Sequence, residues 1–437
     1  MHRNEEDVFT KLRRIEELAK LDVELKFTSL AHLLNLELLK HSLKELNKHG
    51  TPGVDGVTVA QFAQNTDANI ETLHQELREG KYRADSVRRA YIPKAGGKLR
   101  PLGIPTVKDR IVQRAAATII GKIYEPYFLD VSFGFRPGRS AHDALETIGQ
   151  TVNKNPVNWI VDVDIKGYFD HVNHNWMIKF LEHRITDKMM LRIIAKWLKA
   201  GIMENGVVAR NEEGTPQGGP ISPLLANIYL HYVLDLWFEK KYKHRCQGFS
   251  FMVRYADDFI VGFQRKEEAI QFLKDLKQRF AEFGLEVAEE KTQIVAFGKN
   301  SSENGKIGPS GTPRTFKFLG FIHYMKQRGD RTKRAPVVAR KPKRESRNKF
   351  LANVKESLKK CMHTSIPWQK KLLTVRLKGY YNYFGLQHCL KPLQHVKWHV
   401  ERLWMMSLRR RSQKHKLWWS VVRHKPWFKL PEPRLIR

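Results

Sequence analysis

Three aspartates in two well-separated segments have the side chains and the spacing needed to bind a pair of metal ions. Asp257 and Asp258 are adjacent in Tyr255-Ala256-Asp257-Asp258, and Asp164 follows an apolar run. Carboxylates are hard oxygen ligands, and three of them can clamp two Mg²⁺ ions roughly 3.5–4 Å apart. Such an ion pair serves an attacking 3′-hydroxyl and a leaving pyrophosphate, the two ends of nucleotidyl transfer. Mn²⁺ would satisfy the same geometry.

The elements around these aspartates are predicted to be strands. Apolar residues alternate with polar or small ones before and after the acidic pair, which predicts a hairpin with Asp257 and Asp258 at its tip. The run from Trp159 to Ile165 is rich in β-formers and predicts a central strand that ends in Asp164. Asp162 is a second candidate ligand, because it lies two residues earlier on the same face. The alternative is that the acids decorate a solvated turn, but the strand context favours chemistry.

Charge and composition indicate a nucleic-acid partner. The 437 residues carry a formal net charge of +33, and residues 340–437 contain 26 Lys or Arg against four Glu. A positive excess of this size favours a polyanionic partner. The sequence contains neither an 18-residue apolar span nor a basic amphipathic anchor, so a nucleic acid is favoured over a membrane surface. Three widely spaced cysteines give no disulfide framework, and the amino terminus has no hydrophobic signal core. We therefore expect a cytoplasmic protein.

Two glycine-rich segments are candidates for binding a nucleotide. Residues 89–102 predict a basic hairpin with a Gly96-Gly97 tip, which could carry Lys94, Lys98 and Arg100 towards a triphosphate. An ordinary surface hairpin is the alternative. The segment 214–223 combines three Gly and three Pro before an apolar helix, so its backbone could approach a ligand closely.

Taken in order, these segments resemble the reverse transcriptases encoded within bacterial group II introns, which also act as splicing maturases. The resemblance covers nearly the whole chain. It is carried by Phe133–Ser140 (FGFRPGRS), Gly214–Pro223 (GTPQGGPISP), Arg254–Asp258 (RYADD), the loop Gly53–Gly56 and the basic carboxyl-terminal region. It implies an α+β right-hand polymerase, with fingers and a palm built on antiparallel sheet, followed by an all-α thumb or maturase domain. The implied domains are 1–158 for the amino-terminal extension and fingers, 159–335 for the palm, and 336–437 for the thumb, maturase and a DNA-binding tail.

The resemblance also assigns roles to individual residues. Asp164, Asp257 and Asp258 are implied to hold two Mg²⁺ ions, and Lys291 is implied to assist the departure of pyrophosphate. Phe169 is implied to be the steric gate that excludes a ribose 2′-hydroxyl. The other implied nucleotide-binding residues are Lys94, Arg100 and Gln217. The hairpin Phe318-Leu319-Gly320 resembles the family's primer grip. The implied partners are an intron RNA template, a DNA primer or target, and deoxynucleoside triphosphates; both a monomer and a homodimer stay open.

Three points limit or rival this interpretation. Many relatives carry a His-Asn-His endonuclease after the thumb, whereas this sequence stops at Arg437; we expect it not to cut a second DNA strand itself. His171-Val172-Asn173-His174 is predicted to cap a helix instead. One alternative function is a pure RNA-binding maturase with a vestigial polymerase site. Another is a domesticated, antiphage, retron or CRISPR-associated reverse transcriptase that is not tied to an intron.

Overall fold

The chain folds into two compact units, each assembled from several stretches of sequence. A computed structural model describes residues 7–93, 99–204, 207–209, 218–298, 314–326, 336–411 and 417–436. One unit comprises Met1–Ala144, Val163–Val261 and Ile270–Gln293; the other comprises Leu145–Asp162, Gly262–Ala269 and Ile294–Arg437. The domain boundaries expected after residues 158 and 335 stay predictions. The predicted α+β class with antiparallel sheets is confirmed.

Helices open the first unit and pack around one buried helix. Asn35 caps the second of them by accepting from the backbone N–H of Leu38 at 2.9 Å. The fifth is buried on most of its circumference, because Ala and Ile occupy successive turns and the first two helices pack against it. The helices are α1 (Val8–Leu21), α2 (Leu36–Glu45), α3 (Val59–Gln64), α4 (Thr66–Arg78) and α5 (Val107–Tyr124).

A small sheet follows α4 and contains the predicted basic hairpin. Its strands are β1 (Val87–Pro93), β2 (Leu99–Ile104), β4 (Ile202–Glu204) and β5 (Val207–Ala209), in the order β2-β1-β4-β5. β1 and β2 are antiparallel, with Ile92 opposite Arg100, whereas β1 and β4 are parallel. Both strands of the hairpin are therefore confirmed, and its Gly96-Gly97 tip lies outside the described residues.

A second sheet contains the aspartate segments. Its strands are β3 (Trp159–Val163), β6 (Ser250–Tyr255), β7 (Asp258–Phe263) and β8 (Gln293–Ala296), in the order β6-β7-β3-β8. The N–H of Asn158 donates to the carbonyl of Phe263 at 2.9 Å, and the N–H of Phe297 donates to the carbonyl of Asn158 at 2.8 Å. Because the start of β3 thus meets the end of β7, the two strands run antiparallel.

The helices around this part of the chain include the predicted capped helix and the predicted apolar helix that follows residues 214–223. They are α6 (Ala141–Lys154), α7 (His174–Glu182), α8 (Lys188–Leu198), α9 (Ser222–Leu230) and α10 (Lys266–Glu282). Asn173 caps α7 by accepting from the N–H of Trp176 at 3.1 Å, so the predicted capping role of the His171–His174 segment is confirmed. Beyond α9 the chain continues through two π-helical turns at residues 231–235 and 238–242.

The second unit combines a three-stranded antiparallel sheet with long helices. The strands are β9 (Phe316–Phe318), β10 (Phe321–Lys326) and β11 (Val337–Pro342), in the order β11-β10-β9. The helices are α11 (Arg344–Lys360), α12 (Ile366–Phe384), α13 (Leu390–Arg409) and the short α14 (Trp419–Val422). Trp404 anchors their core, donating from Nε1 to Gln369 at 2.9 Å and stacking on Phe428 at 4.8 Å. None of the helices within the described residues has the length and apolar character needed to cross a bilayer.

Candidate active site

The predicted hairpin carries Asp257 and Asp258 at its turn. β6 ends at Tyr255 and β7 begins at Asp258, so the reversal is made by Ala256 and Asp257. Ala256 has φ +58°, a left-handed conformation that costs a non-glycine residue energy and holds the turn tight. Asp257 is half-buried and Asp258 is exposed. The hairpin is therefore confirmed, and its acidic pair reaches solvent at the end of an otherwise buried sheet.

In β6, the alternation of apolar and polar residues in the sequence does not correspond to one buried face and one solvent-exposed face. Ser250, Met252 and Arg254 are as buried as Phe251 and Val253. Met252 is apolar, and Arg254 is compensated by partners, so both faces of β6 can pack against protein. The sequence pattern predicted the strand correctly and underestimated its burial.

A buried arginine network supports the turn, and sequence reasoning missed it. Arg254 is fully buried and donates to both carboxylate oxygens of Asp235, at 2.7 and 2.5 Å. The same guanidinium donates to Asn227 Oδ1 at 2.9 Å and to the carbonyl of Ala256 at 3.0 Å. Burial raises the pKa of Asp235 above its ordinary value, while the Arg254 charge lowers it. The sequence did contain a signal for this pair. Asp235 and Arg254 are charged residues that each lie in an otherwise apolar segment.

The same network joins the turn to the FGFRPGRS segment. Asn227 donates from its amide nitrogen to the carbonyl of Gly134 at 2.7 Å. The backbone of Arg254 bonds to Val131 and Phe133, at 2.7 and 2.8 Å. A Cβ on Gly134 would lie 2.3 Å from the backbone nitrogen of Ala256, so only glycine fits there. Segments far apart in sequence thus fix the position of the acidic turn.

Asp164 lies at the same end of the sheet as this turn. It directly follows β3, and β3 runs antiparallel to β7, which starts at Asp258. The backbone N–H of Ala288 donates to the carbonyl of Asp164 at 2.8 Å, and Thr292 accepts from its N–H at 3.4 Å. The structure therefore brings Asp164 to the edge where the hairpin presents its acids. Asp162 is half-buried within β3.

Lys291 is paired with one of the three aspartates. Its Nζ lies 2.9 Å from Oδ1 of Asp164, and both side chains are partly exposed. A single turn carries Lys291, because its backbone N–H donates to the carbonyl of Ala288, the residue that also binds the Asp164 backbone. The predicted lysine is thus placed beside Asp164, one of the three predicted carboxylates.

The donor set fits a hard divalent cation by its chemistry, since carboxylate oxygens are the ligands that Mg²⁺ and Mn²⁺ prefer. Within the described ranges, however, no group of three or more His, Cys, Asp or Glu side chains is arranged to hold a metal ion. The Asp164 carboxylate instead engages the ammonium of Lys291. Metal binding by Asp164, Asp257 and Asp258 stays a prediction.

The ring of Phe169 is supported by its neighbour Tyr168. Gly167 adopts φ +52° and turns the chain into a short 3₁₀ helix, Tyr168–Asp170. Tyr168 is buried and donates its hydroxyl to the carbonyl of Ala226 at 2.6 Å. Its ring lies edge-on to the half-buried ring of Phe169, with 5.3 Å between centroids. The predicted gate, Phe169, lies five residues after Asp164 and therefore rests on the anchored Tyr168.

Three other predicted nucleotide-binding residues are described incompletely. Lys94 and Gln217 lie outside the described residues. Arg100 belongs to β2, but only its backbone is described. After the glycine-rich segment, Gly218 has φ +131° and a Cβ on it would lie 2.6 Å from the carbonyl oxygen of Gly103. The close backbone approach expected of this segment is thus made to the β2 strand.

The predicted primer-grip hairpin is present in the second unit. Phe318 is buried at the end of β9, and Leu319 and Gly320 form the turn to β10 with φ +45° and +80°. Tyr383 of α12 donates its hydroxyl to the carbonyl of Leu319 at 2.9 Å. The rings of Tyr383 and Phe384 pack against Gly320. The turn is therefore rigidly supported, and its contact with a primer stays a prediction.

Comparison with known proteins places these features in a family. Residues 92–323 match the family described as "Reverse transcriptase (RNA-dependent DNA polymerase)". Group II intron-encoded protein LtrA of Lactococcus lactis subsp. cremoris is 29% identical over 476 residues, covering 93% of this chain and 78% of LtrA.

Other relatives match shorter parts of the chain. Protein YkfC of Escherichia coli (strain K12) is 37% identical over 242 residues, 53% of this chain and 62% of that protein. Nuclear intron maturase 3, mitochondrial, of Arabidopsis thaliana is 22% identical over 259 residues, 55% of this chain and 34% of the maturase.

Proposed function

Because the chain belongs to the reverse transcriptase family of RNA-dependent DNA polymerases, we propose that it synthesises DNA where Asp164 lies beside the Asp257-Asp258 turn. The observation that carries this assignment is the antiparallel pairing of β3 with β7. It brings acids from two distant segments to one edge of a single sheet. One chain supplies all three carboxylates, so the proposed chemistry does not depend on a dimer.

The three carboxylates would hold two Mg²⁺ ions, or Mn²⁺, which would supply Lewis-acid stabilisation of the attacking and leaving oxygens. The protein's own part is positioning, because the Arg254 network and Gly134 fix the turn before any substrate binds. Lys291, whose Nζ lies 2.9 Å from Oδ1 of Asp164, is proposed to supply a positive charge to the departing pyrophosphate.

Selection of the incoming nucleotide is assigned to residues around Phe169. The Phe169 ring packs against Tyr168, which is itself hydrogen-bonded to Ala226, so the position of the ring is fixed. A ring fixed in this way can block a ribose 2′-hydroxyl and accept a deoxyribose. Lys94 and Arg100 on the basic hairpin are proposed to bind the triphosphate, and Gln217 to lie beside the nucleotide and template. The substrates are accordingly deoxynucleoside triphosphates.

The protein is a group II intron-encoded reverse transcriptase and maturase, and its resemblance to LtrA along 93% of its length supports this over the alternatives without an intron. The basic segment 340–437, with 26 Lys or Arg and four Glu, is proposed to bind the intron RNA. A DNA primer or target is the second nucleic-acid partner. A cytoplasmic location, where transcripts and deoxynucleotides are both present, is part of the proposal.

Primer extension tests the polymerase assignment. Purified protein is given an RNA template, a DNA primer, deoxynucleotides and Mg²⁺, and we expect extension that stops on chelation and resumes when Mg²⁺ or Mn²⁺ is restored. The matched control replaces deoxynucleotides with ribonucleotides, which Phe169 should exclude. Absence of extension on every RNA template tried would contradict the assignment.

The intron assignment is tested by the RNA that accompanies the protein. Copurification from its host followed by sequencing should recover the transcript that surrounds its own gene, folded as a ribozyme. Adding the protein to that transcript should raise its splicing rate at limiting Mg²⁺. Recovery of unrelated RNAs, with no effect on splicing, would favour a reverse transcriptase that is not tied to an intron.

A further inference from the structure

Phe135 combines an unfavourable backbone with an exposed aromatic ring. It has φ +57°, and 61% of its surface is accessible to solvent. Glycine or asparagine would adopt this backbone more readily and expose less apolar surface. We propose that Phe135 is a stacking platform for an unpaired base of the strand being copied. This inference rests on the proposed polymerase function and adds a residue that positions the template.

Both neighbours of Phe135 are committed to the fold, which explains why its ring points outward. Gly134 packs against the acidic turn so closely that a Cβ would lie 2.3 Å from the nitrogen of Ala256. Arg136 is buried and donates to Glu125 at 2.9 Å and to the carbonyl of Ser132 at 2.9 Å. The ring is therefore presented from a rigid loop, one residue from the proposed catalytic turn.

The ring lies at the edge of a groove large enough for a base. The groove has a volume of about 480 Å³, within the range of small-ligand sites. Its lining includes residues of α5 and Phe128, and further apolar surface comes from Phe135, Pro137, Pro220, Pro223 and Leu224. Phe135 and Pro137 belong to the FGFRPGRS segment and Pro220 and Pro223 to the GTPQGGPISP segment, so both segments line one cleft in the same unit.

The charges at the rim favour a base over a phosphate inside the groove. Arg114 pairs with Glu45 at 2.6 Å and Lys122 pairs with Glu16 at 2.6 Å, so each cation at the rim is already neutralised. A flat, uncharged ring suits such a cleft, because base–aromatic stacking needs no charge and accepts every base. A template must expose unpaired bases ahead of the active site, and Phe135 is close to that site. An unpaired template base is therefore the occupant that we assign.

Template overhangs provide the test. Primer–template duplexes with and without a six-nucleotide template overhang are bound to the full-length protein without deoxynucleotides, with 2-aminopurine at the first unpaired positions. Wild type and Phe135→Trp should quench the probe and bind the overhang, whereas Phe135→Leu should lose roughly 5- to 100-fold in affinity for it. Affinity for the blunt duplex should not change. Leu21→Asn, which alters another exposed apolar side chain, is the matched control.

Thermal unfolding separates this role from a structural one. Phe135→Gly should unfold at the same temperature as wild type or higher, because glycine relieves the backbone strain, and yet lose the overhang preference. Equal quenching and equal overhang affinity in wild type and Phe135→Leu would overturn the proposal. A Phe135→Leu variant that differs from wild type only in its self-association would overturn it as well. Wild-type primer extension is measured in parallel. If wild type extends primers and Phe135→Leu keeps overhang binding, the platform fails while the polymerase assignment stands.

Discussion

Replacing Arg254 with methionine should destabilise the protein strongly, because the change leaves the buried Asp235 carboxylate without its partner. Both side chains are fully buried. Breaking a buried ion pair by removing one member costs about 3–5 kcal/mol, since the remaining charge cannot be solvated. We therefore expect the unfolding temperature of Arg254→Met to fall by roughly 5–20 °C. Denaturant and thermal unfolding of purified variants measure this directly.

The double variant Arg254→Met with Asp235→Leu separates stability from activity. Apolar residues of similar size in place of a buried ion pair are often neutral or stabilising, so most of the lost stability should return. Activity should not return, because the carbonyl of Ala256 still lacks the donor that holds the turn at 3.0 Å. A displacement of about 1 Å at such a turn can cost roughly a hundredfold in rate.

Two results would refute this reasoning. If Arg254→Met lowers the free energy of unfolding by less than about 1 kcal/mol, the ion pair behaves as a solvent-exposed pair, which would contradict its burial. Full recovery of primer extension in the double variant would mean that Arg254 does not position the acidic turn. Asn227→Leu offers a comparison, because it removes the bond to Gly134 and the bond accepted from Arg254 but leaves the Arg254–Asp235 ion pair in place.

Three further outcomes are expected. Phe169→Val should admit ribonucleotides in primer extension, and continued strict exclusion would assign the gate to another residue. Deleting residues after Arg340 should remove most of the salt dependence of RNA affinity, whose log–log slope is near −0.7 to −0.9 per neutralised phosphate, and an unchanged slope would place the RNA elsewhere. Burial raises the pKa of Asp109 to about 6, so its contribution to stability is present below about pH 4 and is lost as pH rises through 6. Asp109→Asn should therefore flatten the pH dependence of unfolding in that window, whereas an unchanged profile would contradict the raised pKa.

Local pattern was sufficient to predict the strands, the hairpin and the apolar helix that follows residues 214–223. The alternation around Asp257 and the β-formers before Asp164 both report short-range geometry, which the neighbouring residues determine. The segment 171–174 was predicted to cap a helix for the same reason, because capping depends on residues within one helical turn, and the structure identifies Asn173 as the cap. The family motifs then supplied roles that spacing alone does not give.

Long-range pairing explains what the sequence could not show. Arg254, Asp235, Asn227 and Gly134 form one network across three segments, and no local pattern links their positions. The burial of β6 on both faces also depends on long-range contacts, because it is determined by the segments that pack against each face. The exposed ring of Phe135 became recognisable only from its backbone and its groove.

The central claim is that Asp164, Asp257 and Asp258 act together at one edge of the sheet, and single-turnover nucleotide addition by three single Asp→Asn variants tests it most directly. Each variant keeps the size of the side chain and removes one charge. We predict that all three lose at least roughly a hundredfold in rate while retaining wild-type RNA affinity and unfolding temperature. A wild-type rate in any one of them would contradict the shared site.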